Sequence, residues 1–215
     1  MIAGFAPEQI AVALFAALVA AFVRGLAGFG MAILLVPVLA LALKPVDAVL
    51  VANCLGLMIG LTEIGRLVRQ AERSAFTISA LVLLATAPGL ILLALTPPAL
   101  ARLLIALVAV LAFLAVLMPA RPDTKPGTLT TMLTGVSAGL LTGFAGMPGP
   151  PVVPYYVALA IPRQTAKASM VLIFTAAAIA GIGSGIAIGA FGSRLMWLAL
   201  MLFPAVLIGN WLGQR

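Results

Sequence analysis

The sequence predicts an all-α fold, a polytopic transmembrane helical bundle made of two inverted repeats with broken or re-entrant helices. Three observations lead there. Hydrophobic residues fill 64% of the 215 positions and charged residues 8%, against roughly 25% charged in soluble domains. Apolar runs recur along the whole chain, most of them long enough to cross the roughly 30 Å of bilayer hydrocarbon. Two runs are too short to cross, and each follows a glycine-rich interruption.

Reading apolar runs against charges and prolines places helices at about Gln9 to Arg24, Met31 to Leu43, Val46 to Gly65, Thr77 to Leu95, Ala99 to Met118, Thr128 to Leu141, Val152 to Ile161, Thr165 to Ile188 and Leu195 to Leu212. The segment leading into the first carries Glu8 and no Lys or Arg, unlike the basic start of a signal peptide, and the run is read as part of the mature protein. The second and seventh cover only about 20 and 15 Å at helical rise. The first is preceded by Gly25, Gly28 and Gly30, the other by Gly143, Gly146, Met147, Pro148, Gly149, Pro150 and Pro151. Two basic stretches read as loops: Arg66 to Arg73, with Glu72 among its arginines, and Pro119 to Gly127, with Arg121, Asp123 and Lys125. Two spans separate them, meeting at Thr96, Pro97 and Pro98, so both loops fall on one face, the cytoplasmic one by the positive-inside rule.

The halves repeat at a constant offset of 117 positions, with Val36 and Pro37 falling on Val153 and Pro154, Pro45 on Pro162, and Val19 and Ala21 on Val136 and Ala138. The element order repeats too, down to a mid-helix proline, Pro88 in one half and Pro204 in the other. Residues 1–118 thus form a first repeat, 119–127 a cytoplasmic linker, and 128–215 a second repeat without a counterpart of the helix Ala99 to Met118. Two explanations stand for that difference, a truncated chain or a partner that supplies the surface. If each short segment forms a hairpin with the helix before it, Arg163, Lys167 and Arg215 join the inner basic loops, and Lys44, Arg102 and Arg194 remain outside. That count satisfies the charge rule and inverts one half relative to the other, a plan common among secondary transporters.

Composition also narrows function. The net charge of +7 comes from twelve Lys and Arg gathered in short clusters between apolar runs, without the interleaved aromatics of a nucleic-acid groove. One cysteine, Cys54, and no histidine leave neither an internal disulfide nor a cysteine and histidine metal site. No nucleophile and base pair is apparent, so no enzymatic activity and no cofactor are expected.

Interrupted backbone survives in a bilayer only where protein or a water-filled cavity satisfies it. Two inverted breaks therefore predict a cavity, and the helix starting at each presents amide groups and a positive dipole end to an anion. The candidate substrate-binding residues are Arg24, Gly28, Phe29, Gly30, Asn53, Gly146, Met147 and Gly149. Gly146, Met147 and Gly149 keep their amide donors, whereas Pro148, Pro150 and Pro151 have none. The glycines admit a second reading, as points of close helix packing, and Arg24 and Lys167 a second one as interfacial anchors. Asp47 is spaced to pair with Lys44, and Glu63 with Arg66. Asn53, Thr62, Thr86, Ser137, Thr142, Ser169 and Thr175 are the polar groups on apolar helices, with Asn53 foremost.

The run Gly28-Phe29-Gly30, followed by Val36-Pro37, Pro45 and Ala48, resembles the first signature of the TauE/SafE sulfite exporter family. Gly146, Gly149, Pro150, Pro151 and Tyr156 resemble its second-half counterpart, and the likeness in spacing and duplication covers essentially the whole chain. Met31 and Ala32 stand where further glycines are common. The resemblance implies a multi-pass permease of the bacterial inner membrane that moves sulfite, sulfonates or related organic acids, partnered by the lipid bilayer and a small anion. A coupling proton or cation and a homo-oligomer stay open. An anion channel and a non-transporting assembly subunit are the alternative functions.

Overall fold

The computed structural model describes residues 5–117 and 126–215. Among these it contains nine helices: α1 (Pro7–Ala27), α2 (Met31–Ala42), α3 (Pro45–Gln70), α4 (Arg73–Leu95), α5 (Pro98–Leu117), α6 (Thr128–Ala145), α7 (Gly149–Val157), α8 (Arg163–Ala187) and α9 (Ser193–Gly213). Seven are long and apolar enough to cross a membrane; α2 and α7 are the short pair. Most of the second linker, including Arg121, Asp123 and Lys125, lies outside the described residues, as do the side chains of Glu63 and Arg66.

Two boundaries depart from the sequence expectation. The expected loop from Arg66 to Arg73 is almost entirely helix, with only Ala71 and Glu72 between α3 and α4. Once past the hydrocarbon a helix gains from water-facing charges, so arginines do not end it. Glu72 caps α4, its carboxylate accepting the Ser74 N–H at 2.7 Å. The second break is also shorter than expected, since α6 continues to Ala145 and α7 starts at Gly149. Pro150 and Pro151 fall within the first turn of α7, where a missing N–H costs no intrahelical bond.

Glycine decides how the helices meet. Gly135, Gly139 and Gly143 lie four residues apart on α6 and face α4: a Cβ would stand 2.7 Å from that of Leu81 at Gly135 and 2.6 Å from that of Ala85 at Gly139, and Gly143 would meet the backbone of Thr86 and Leu90. Backbones this close gain dispersion contact over a long seam, which in lipid replaces the hydrophobic drive. Gly25, Gly209 and Gly213 do the same between α1 and α9. Gly25 and Gly143 are thus packing residues inside helices, not parts of the breaks. In both seams the contacts advance together along the two chains, so α4 and α6 are parallel, as are α1 and α9.

The third seam runs the other way. Leu50 meets Gly185, Asn53 meets Gly181, Gly56 meets Ala178 and Gly60 meets Thr175, so α3 and α8 are antiparallel. α3 is the most enclosed span, with 67% of its window buried, whereas α5 has 22%; α3 is therefore the centre and α5 the edge. Leu103, Leu107, Val110, Leu111 and Leu114 of α5 face outward. Such an apolar belt would be a liability in water and is the expected surface in lipid.

One end of the bundle gathers the start of α1, the end of α2 and the starts of α3 and α9. There Gln9 Nε2 donates to the Ala42 carbonyl at 2.7 Å and Arg102 Nε to the Ala40 carbonyl at 2.7 Å. Asp47 pairs with Arg194 at 2.7 Å, not with Lys44 as the spacing predicted. The other end holds the α3–α4 turn, the start of α6 and the start of α8. The Glu72 N–H donates to Ser169 Oγ at 2.8 Å, and Thr131 and Tyr155 hydroxyls lie 2.9 Å apart. The bond from Gln9 to Ala42 fixes α1 and α2 as a hairpin, with the chain turning back inside the bundle.

Candidate functional site

The first turn-back is made by Gly28 (φ 83°) and Gly30 (φ 94°), both left-handed. Neither is crowded: a Cβ on Gly30 would meet nothing within 4 Å and one on Gly28 only Lys167 Cε at 3.8 Å. Glycine is required here by backbone conformation, which costs other residues about 1–2 kcal/mol. The second turn-back uses Gly146 (φ 66°), whose N–H closes α6 on the Thr142 carbonyl at 2.9 Å, while the Met147 N–H bonds the Leu141 carbonyl at 3.2 Å. Left-handed glycine capping explains why α6 stops.

Those two bonds correct the expectation that Gly146 and Met147 keep free donors. Their amides close α6, so in the second break Gly149 alone, of the three, begins a helix with its N–H unspent. The first break is richer. Met31 and Ala32 occupy the first turn of α2, whose amides have no acceptor within the helix, and the absence of glycine at those positions costs no donor.

Both breaks open on one cavity of about 90 Å³. Arg24, Gly28, Phe29, Gly30, Asn53, Gly146, Met147 and Gly149 all line it. The structure thus brings together every candidate residue, from three helices, α1, α3 and α7, and the two connections. Ligand pockets for drug-sized molecules run from about 300 Å³ upward; this one has room for a few heavy atoms.

Arg24, half-buried, donates from Nη1 to Asn210 Oδ1 of α9 at 2.9 Å while lining the cavity. That bond holds its guanidinium across the α1–α9 seam. Asn53 is 5% exposed, and its Nδ2 has no hydrogen-bond partner. An amide donor left so costs about 1–3 kcal/mol. Its neighbour Gly181 supplies bare backbone for the amide to rest on.

Of the other polar groups, only Thr175 reaches the cavity. It is buried, donates to the Val171 carbonyl at 2.8 Å and is seated on Gly60 as Asn53 is on Gly181. Thr86 and Thr142 are buried against carbonyls of their own helices, half-buried Ser137 bonds the Leu133 carbonyl, Thr62 bonds the Ile59 carbonyl, and Ser169 serves Glu72. Gly56, Gly60, Val171, Phe174 and Ala178 also line the site. The signal for Gly56 and Gly60 is the i, i+4 recurrence of small residues on α3, which looks the same whether a stripe packs or borders a hollow; Val171 and Phe174 carry no such signal.

A lipid-facing bundle of many helices, hollow at depth where two helices are interrupted, has the architecture of a membrane carrier. Residues 13–215 match the family model described as sulfite exporter TauE/SafE, and the chain belongs to that family of membrane transporters. No curated protein and no solved structure matches it.

Proposed function

We propose that this protein is a secondary transporter of small oxyanions, sulfite and sulfonates foremost and related organic acids next, working by alternating access around the cavity between α2 and α7. The observation that carries the reading is the Asn53 amide, buried in the cavity wall with a donor unspent. Sulfite and sulfonate oxygens accept hydrogen bonds and carry the negative charge that helix N-termini favour. The size of the hollow suits an ion of this kind.

In this reading residues 1–118 and 128–215 are inverted copies joined by the segment 119–127. Support comes from the seams: α3 and α8, third in each series, run antiparallel, and α1 packs on α9 as α6 packs on α4. Exchange of two such units about an axis in the membrane plane reproduces those pairings. The end carrying Arg69, Arg73, Arg163 and Lys167 then faces the cytoplasm of a bacterial inner membrane.

The test is uptake of labelled sulfite, sulfoacetate and simple carboxylates into proteoliposomes. The expected result is saturable flux of at least one of them, lost when Gly28 and Gly149 are both replaced by leucine in protein that still folds. Flux unchanged by that double replacement would reject the site, and current without saturation would indicate a pore instead.

A further inference from the structure

Lys167 stands one turn beyond the cavity lining, and among the described residues its ammonium has no partner. On α8, Lys167, Val171, Phe174, Thr175 and Ala178 follow the i, i+4, i+7, i+8, i+11 pattern of one helix face, and the last four line the cavity. Lys167 therefore continues that wall one turn beyond the lining. It is exposed, and among the described residues it makes no hydrogen bond or ion pair. Its stem faces the first break, since a Cβ on Gly28 would lie 3.8 Å from Lys167 Cε. Its level in the bundle is fixed two residues further on, where Ser169 accepts the Glu72 N–H of the α3–α4 turn.

We propose that Lys167 is the entry charge of the transport site: it gathers the anion at the mouth beside Gly28 and delivers it to the cavity from the arginine-rich end. The proposal rests on the anion-transport reading and adds to it a residue, a side of access and a kinetic role. An ammonium held only by its stem is suited to this work, because it attracts an anion without fixing it in place. An interfacial anchor with no part in transport would use the same stem, but it would not alter the concentration dependence of flux.

The experiment measures initial rates of sulfite flux against concentration in proteoliposomes for wild type, Lys167→Gln, Lys167→Glu and Lys167→Arg at low and high ionic strength. Lys167→Gln should raise KM about tenfold with kcat within about twofold, Lys167→Glu should raise it further, and Lys167→Arg should restore it. The gap between wild type and Lys167→Gln should shrink as salt screens the charge. Equal KM for wild type and Lys167→Gln, or a fall confined to kcat, would overturn the proposal. Thermal melting of each variant shows which are folded; should Lys167→Gln not fold, a KM for Lys167→Glu no higher than that of wild type would overturn the proposal as well. Absence of saturable flux in wild type would remove the transport reading and this inference together; saturable flux indifferent to residue 167 would remove only the inference.

Discussion

Asn53 of α3 rests on Gly181 of α8, its amide filling the space that a side chain on any other residue would claim. The same relation recurs in reverse one and a half to two turns away, where Thr175 of α8 rests on Gly60 of α3. Each central helix thus holds a polar side chain against bare backbone of its antiparallel neighbour, at the wall of the cavity.

Adding a methyl at Gly181 should push the Asn53 amide out of place. Its Cβ would stand 2.7 Å from Asn53 Cγ. Gly181→Ala is expected to cost about 1–3 kcal/mol of stability and most of the anion affinity. Gly183→Ala, two residues on with nothing within 4 Å, is the control and should be neutral. Thermal melting with and without sulfite reads both.

The glycines of the two breaks should respond differently. Gly28→Ala and Gly30→Ala force alanine into left-handed backbone and should each destabilise by about 1–2 kcal/mol despite open space around them. Gly149 is helical, with only Val153 Cγ2 at 3.9 Å from a would-be Cβ. Gly149→Ala should therefore leave stability nearly unchanged. Denaturation of the three variants in detergent decides the matter.

α7 is held to α4 by a pair of hydroxyls, Ser74 Oγ and Tyr156 OH, 2.9 Å apart, with Glu72 beside them. Tyr156 is 1% exposed. Tyr156→Phe should lower stability by about 0.5–1.5 kcal/mol, and Ser74→Ala, which also gives up the bond to Glu72, should cost less on that background than in wild type. Additive losses in the double variant would show that the two hydroxyls do not act as a pair.

At the opposite end the Asp47 and Arg194 pair joins α3 to α9, with the arginine side chain 49% exposed. Solvent screening limits such a pair to about 1 kcal/mol or less. Arg194→Ala should thus be mild, and the exchange Asp47→Arg with Arg194→Asp should recover part of the loss in a double-variant cycle.

Much of this molecule was legible in its sequence because lipid imposes simple rules. Apolar length located the spans, and glycine or proline next to short runs located the breaks. All eight candidate residues came out on one cavity because interrupted backbone at depth must share its surroundings. The arginines after Gly65 mislead, since charges that end an apolar run do not end a helix projecting into water. Gly25 and Gly143 cannot be told from the glycines of the breaks in sequence, because close packing and backbone reversal both select glycine. Partners distant in the chain, such as Arg194 for Asp47, Asn210 for Arg24 and Gly181 for Asn53, depend on how helices cross and leave no local pattern.

The most direct test of the account is the affinity of purified protein for sulfite, measured by titration calorimetry, for wild type and Asn53→Leu. A hydrogen bond to a charged ligand is worth about 1.5–3 kcal/mol, so the variant should bind about ten- to a hundredfold more weakly while melting at a temperature no lower than wild type. Equal affinity in the two proteins would contradict the assignment of the Asn53 amide, and with it the cavity, as the anion site.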